Sequence, residues 1–188
     1  MKKSSTLICL LLFAVIAKAQ EITKQEQGYF NLTELGFFTG QQVQKLEPQF
    51  GEAVYRTNKY AFSLRNINGW FVSKQFSIGA GVGLDGYHNP KNTFDYNNTF
   101  LLFADARYYF KSAASTFFAY GDLGSSIAID SDFEKGLMFN LGLGYKLKLA
   151  RRTGFVTSLG YNQQEINGYP NIRTNRISTF ALKAGLLF

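Results

Sequence analysis

The sequence predicts an all-β protein, specifically an eight-stranded antiparallel up-and-down transmembrane β-barrel. Three observations carry that expectation. Long segments alternate apolar and small or polar residues with period two, which gives a strand one apolar face and one face free to be polar. Short turn-like segments at Ser73-Lys74-Gln75, Lys111–Ser115 and Ala150–Thr153 recur about 38 residues apart, so the chain is organised as hairpins. The last nine residues, FALKAGLLF, put Phe180, Leu182, Ala184, Leu186 and Phe188 on one side of a strand that ends on an aromatic. Composition agrees: 19 Phe, 11 Tyr and 18 Gly stand against only 3 Pro, a balance suited to strands.

The chain opens with a predicted signal peptide over residues 1–19. Lys2 and Lys3 form a basic start, Leu7–Ile16 an apolar run, and Ala17-Lys18-Ala19 a small-x-small cleavage site before Gln20. That apolar run is too short to span a bilayer as a helix, and no later stretch approaches the ~20 apolar residues such a helix needs. Cys9, the single cysteine, lies inside the run and leaves with it. Disulfides, thiol chemistry and cysteine-ligated metals are then excluded from the mature chain. Without Lys2, Lys3 and Lys18, the 20 Lys+Arg fall to 17 against 13 Asp+Glu, about +4. This charge is mild and scattered, so nucleic acid is not an expected partner. Residues 20–188 are the size of one domain.

The strands follow in order. The first, about 29–39, carries Glu34 among Phe30, Leu32 and Phe38, so its facing reads either way. The second covers about 59–71. In the third, Phe76, Ile78, Ala80, Val82 and Leu84 oppose Ser77, Gly79, Gly81, Gly83 and Asp85. In the fourth, Phe100, Leu102, Ala104, Ala106, Tyr108 and Phe110 oppose Thr99, Leu101, Phe103, Asp105, Arg107 and Tyr109. The fifth spans about 116–129. The sixth sets Leu137, Phe139, Leu141, Leu143, Tyr145, Leu147 and Leu149 against Met138, Asn140, Gly142, Gly144, Lys146 and Lys148. The seventh and eighth cover about 154–164 and 175–188. Eight is even, which returns both termini to one side.

Alternation alone does not separate a membrane barrel from a soluble sandwich, because the two are inside-out versions of each other. Four features break the symmetry. The strands reach the ~9–11 residues that cross a bilayer at a tilt, whereas soluble strands average ~5–6. The polar face is rich in Gly and Ser and poor in the Lys and Glu of a solvated surface. Aromatic residues cluster at strand ends near the short turns, including Trp70, Phe71, Phe76, Tyr108–Phe110, Phe117, Phe155 and Phe188, as at a bilayer interface. The fourth feature is the signal peptide.

With these residues the mature chain resembles the small eight-stranded outer-membrane β-barrels of the OmpX/OmpA type. Within that class it is similar to the outer-membrane β-barrel domain families of Bacteroidetes-type bacteria, including PorT-like proteins, through Gln20 after the cleavage site, aromatic-rich strands and terminal Phe188. The resemblance implies a place in the bacterial outer membrane. It also implies an insertion signal, Phe180, Leu182, Leu186 and Phe188, read by the barrel-assembly machinery. It implies no reaction.

Seven charges fall on inward positions three to six residues from the turn end: Glu34, Arg65, Asp105, Arg107, Asp122, Lys146 and Lys183. An eight-stranded barrel is just wide enough for side chains to fill, and buried charges persist only when paired and hydrogen-bonded. The expectation is a neutralising layer that plugs the lumen, with Gly79, Gly81 and Gly160 making room for it. Arg107 and Lys146 are expected to separate Asp105 from Asp122, which lie opposite each other across a hairpin. An ion or proton path is the alternative use of the same residues.

Long connections are expected at about 40–58, 86–97, 130–135 and 164–174. Lys45, Glu47, Glu52 and Arg56 belong to the first, and Tyr55, Tyr87, Tyr96 and Tyr169 offer contacts of the kind found on binding surfaces. Asp85, Asp95, Asp130, Asp132 and Glu134 are outer acids without the spacing of a calcium loop, and divalent bridging to lipopolysaccharide is the weak reading of them. His88 is the only histidine; Gly86 and Pro90 flank it where a same-face serine would help, leaving Ser125, Ser126 and Ser131 as distant candidates for a nucleophile. The expectation is therefore a non-enzymatic membrane protein with a structural, surface-binding or envelope-assembly role. A narrow channel comes next and a lipid-modifying enzyme last. Expected partners are outer-membrane lipid and lipopolysaccharide, the assembly machinery, and an envelope or secretion complex. No metal or cofactor is expected.

Overall fold

The computed structural model describes residues 28–46, 53–128, 135–165 and 172–188. Eight strands follow one another: β1 (Gly28–Leu46), β2 (Val54–Phe71), β3 (Phe76–Asn89), β4 (Asn92–Tyr109), β5 (Thr116–Ala128), β6 (Lys135–Lys148), β7 (Gly154–Glu165) and β8 (Ile172–Leu187). Each pairs antiparallel with its neighbour, and β8 returns to β1 to close a barrel. The seam is tied at the turn end by Asn31 N–H to Phe188 O at 3.0 Å and Phe188 N–H to Asn31 O at 2.8 Å. Closure leaves no strand edge to pair outside the protein, a requirement for strands in lipid.

Short turns at residues 72–75, 110–115 and 149–153 lie at one end with the carboxyl terminus. The wall is apolar outside. Ile78, Leu102, Leu141 and Leu143 project outwards, as do the terminal-strand residues Phe180, Leu182, Leu186 and Phe188; Leu143 is 61% exposed and Phe180 72%. Arg65, Arg107, Glu34 and Lys183 are instead buried. A water-soluble sandwich would have these two sets exchanged, so the inside-out reading is the correct one.

Two expectations are revised. The first strand's ambiguity resolves with Phe30, Leu32, Glu34 and Phe38 all inward and Tyr29, Leu35 and Phe37 outward. The connections are also shorter than alternation suggests, because the strands run on beyond it. Residues 40–46 and 54–58 still pair as β1 and β2, and 86–97 is nearly all hairpin, turning at Pro90-Lys91. Asn89 Oδ1 accepts a hydrogen bond from Lys91 N–H at 2.9 Å and shapes that turn. Above the bilayer both faces of a strand can be wet, so pairing persists where period-two hydrophobicity fades.

Outside the described residues lie the expected leader with Cys9, together with Glu47, Glu52, Asp130, Ser131, Asp132, Glu134 and Tyr169. The side chains of Asp95 and Tyr96 are likewise outside the description.

Candidate functional site in the barrel lumen

The lumen is filled in two tiers. The lower one, near the short turns, is a floor of rings. Phe30 and Phe71 have centroids 5.2 Å apart, Phe71 and Tyr109 5.4 Å, and Tyr109 and Phe118 5.6 Å, which leads on to Tyr120 at 6.2 Å. Lys146 reaches down onto this floor, with Nζ 4.8 Å from the Tyr109 centroid and 5.7 Å from that of Phe71.

Above the floor, acids and bases alternate in one continuous chain. Arg107 Nε binds both oxygens of Asp105 at 3.1 and 3.0 Å, while its Nη1 reaches Glu34 Oε1 at 3.2 Å. Lys183 Nζ lies 3.3 Å from Glu34 Oε2 and 3.6 Å from Asp122 Oδ2. Arg65 Nη1 continues from Asp122 Oδ2 at 3.3 Å, and its Nη2 reaches Asp85 Oδ2 at 3.0 Å. The order is Asp105–Arg107–Glu34–Lys183–Asp122–Arg65–Asp85. Neutral groups extend it. Asn140 Nδ2 donates to Asp122 Oδ2 at 3.0 Å and Gln164 Nε2 to Asp85 Oδ2 at 2.6 Å. Ser63 Oγ donates to Asp85 and accepts from Arg65 Nε at 3.1 Å. All eight strands thus supply a member.

Desolvation alone would make each of these ions costly. Alternation offsets that cost, because every interior member of the chain lies between two opposite charges. Rings add to it: Lys183 Nζ is 4.1 Å from the Tyr120 centroid, and the Arg107 guanidinium lies over Phe118 and Tyr120 at 5.5 and 5.6 Å.

The structure brings together six of the seven charges expected in the lumen and places Lys146 one tier lower. It also changes who separates the facing carboxylates. Asp105 and Asp122 are register partners, but Arg107 serves Asp105 and Glu34, while Arg65 and Lys183 serve Asp122. Gly81 and Gly160 make room for rings, not charges: a Cβ at either would collide with Phe103 or Tyr120, and it is Gly83 that underlies the Arg65 stem.

Sequence reasoning ended the third strand at Asp85, counted Asp85 among the outer acids and left Tyr87 in the loop that follows, so neither entered the lumen layer. Both are buried, and Tyr87 OH accepts from Asn162 Nδ2 at 3.0 Å. The signal was present, since they continue the inward series Ser77, Gly79, Gly81, Gly83. Asn140, Asn162 and Gln164 carried none, being neutral. Tyr55 stays exposed at the outer rim with Lys45 and Arg56. His88 faces outward and stacks on Tyr60 at 5.4 Å. Ser125 Oγ and Ser126 Oγ donate to the carbonyl oxygens of Gly136 and Glu165. Among the described residues no three His, Cys, Asp or Glu converge as a metal site.

No family model matches the chain, and no curated protein does. Solved structures do. Neisserial surface protein A aligns with 85% of this chain and 96% of its own at 15% identity, with a TM-score of 0.50. The outer membrane protein OprG of Pseudomonas aeruginosa aligns with 89% of this chain and 98% of its own at 10% identity, also at 0.50. At such identity the likeness speaks for architecture. In strand number, closure and pairing, the chain has the fold of the small eight-stranded outer-membrane β-barrels.

Proposed function

We propose that this protein is an integral barrel of a bacterial outer membrane that neither conducts nor catalyses, and that serves a structural, surface-binding or envelope-assembly role. The observation that carries the reading is the acid–base chain across the lumen, in which Arg65, Asp85, Asp122 and Lys183 have at most 1% of their side-chain area exposed. Side chains tied on both sides support a closed lumen. The apolar outer wall, the leader and the aromatic final strand support the location. The Phe180–Phe188 face is the segment offered to the assembly machinery, and the outer rim is the surface offered to lipopolysaccharide or to an envelope or secretion complex.

Planar-bilayer recording tests the plug: the purified protein should show no steady conductance. A reproducible open channel in the unmutated protein would defeat the plug and establish the narrow-channel reading. Crosslinking pull-down from native outer membranes then identifies the partner. Recovery of outer-membrane lipid alone would leave the envelope-complex role without support.

A further inference from the structure

One stretch of the lipid-facing wall is not apolar. On β1 and β2 the outward positions Asn31, Thr33, Asn66 and Asn68 form a contiguous polar patch. Asn31 Nδ2 donates to Asn66 Oδ1 at 3.1 Å and to Asn68 Oδ1 at 2.9 Å. Asn66 Nδ2 donates to Asn31 Oδ1 at 3.2 Å and Thr33 Oγ1 at 2.9 Å. Asn68 Nδ2 donates to Asn66 Oδ1 at 3.0 Å, and Tyr29 OH donates to Asn68 Oδ1 at 2.5 Å.

The patch lies within the apolar band. Asn66 is four residues from the interfacial Trp70, roughly 13 Å along a strand and, at a tilt of about 40°, roughly 10 Å up a band about 25 Å tall. Its neighbours confirm the depth. Across β3, Asn66 and Asn68 face Val82 and Ala80; across β8, Thr33 faces Leu186; directly above come the paired Leu35 and Leu64. An outer wall suited only to lipid would carry leucine here too, because hydrocarbon offers amides nothing.

We propose that this patch is the interface through which two copies of the chain associate in the membrane. Three features favour a second copy. Amides both donate and accept, so the patch is complementary to itself. One N–H of Asn68, the Thr33 hydroxyl proton and a lone pair of Asn31 Oδ1 remain after the internal bonds, which leaves donors and an acceptor for an identical face. Both copies insert in the same orientation, so a two-fold axis along the membrane normal brings every residue to its own depth. A polar patch at one level is then met by an equally polar patch. Beside it, a hollow of about 620 Å³, lined by Tyr29, Asn68, Trp70, Ile78, Ala104 and Ala106, lowers the wall. Ala104 and Ala106 in that hollow are small, and small residues permit close approach of membrane segments.

The test is thiol crosslinking in native outer membranes, in a Cys9→Ser background, with single cysteines at Leu64 beside the patch and Leu143 on β6. Leu64→Cys should give a product of twice the monomer mass, several-fold more than Leu143→Cys. Adding Asn66→Leu and Asn68→Leu should abolish that product while the barrel stays folded, as shown by protease resistance and far-UV circular dichroism. Should the double variant fail to fold, Asn68→Leu alone carries the same comparison. Equal yields at the two positions, a product with a different protein's mass, a product indifferent to the leucine substitutions, or no product at all would each overturn the proposal.

Discussion

The two tiers of the lumen fill the same cylinder in opposite ways. The floor is aromatic: Phe30, Phe71, Tyr109 and Phe118 meet at tilted angles, so a ring that carries no cation, such as Phe30, can give way to a side chain of similar volume without stranding a charge. The layer above is a chain in which each ion is the condition for its neighbours. Removing one charge leaves two others buried beside an absent partner. Tolerance therefore differs sharply over a few ångströms of depth, and the difference comes from directionality and desolvation, not from packing.

The strongest way to probe that contrast is Arg107→Met. It leaves Asp105 without its base and Glu34 with Lys183 alone, and should cost about 3–5 kcal/mol in detergent unfolding. Adding Asp105→Asn should recover part of the loss, since Glu34 keeps Lys183 and the second carboxylate is gone. Additive losses would mean that the chain does not act as a unit. Leu141→Arg tests the other side of the wall and should cost about 2–4 kcal/mol at mid-depth. A spin label at position 141 should report lipid; a lumen environment there would reject the facing. Phe30→Leu in the floor should cost less than about 1.5 kcal/mol. A loss as large as that of Arg107→Met would erase the distinction between tiers. Smallest in stability is Phe188→Ala, which keeps both seam hydrogen bonds and removes an exposed ring. It should shift unfolding by no more than about 0.5 kcal/mol while lowering the inserted fraction in cells. Equal insertion of variant and parent would count against a signalling role for that ring.

Much of this arrangement is visible in the linear sequence because period two is a local property. Residues two apart share a face whatever the rest of the chain does, so the alternation around Ile78, Leu102 and Leu141 is sufficient to separate the two sides of the wall. The length of those runs and the small polar residues opposite them decide which side meets lipid. The same locality misleads where the wall rises clear of the bilayer. Tyr87 looks like a loop residue, and Asp85 like the end of its strand, because their outward neighbours, Gly86 and His88, are no longer apolar.

By itself the sequence determined the barrel, its strand number, most of its inward set and a nearly balanced complement of lumen charge. Only the tertiary structure decided which charge meets which. Asp105 and Asp122 are neighbours in register, yet the bases that serve Asp122 come from β2 and β8 across the lumen. Contact across a cylinder depends on shear, curvature and side-chain reach, and none of these has a period along the chain. The facing of β1 was settled the same way. Phe30, Leu32 and Phe38 suit lipid as well as the interior, and pairing with β2 and β8 turns them inward beside Glu34 while Asn31 and Thr33 turn out to meet Asn66 and Asn68.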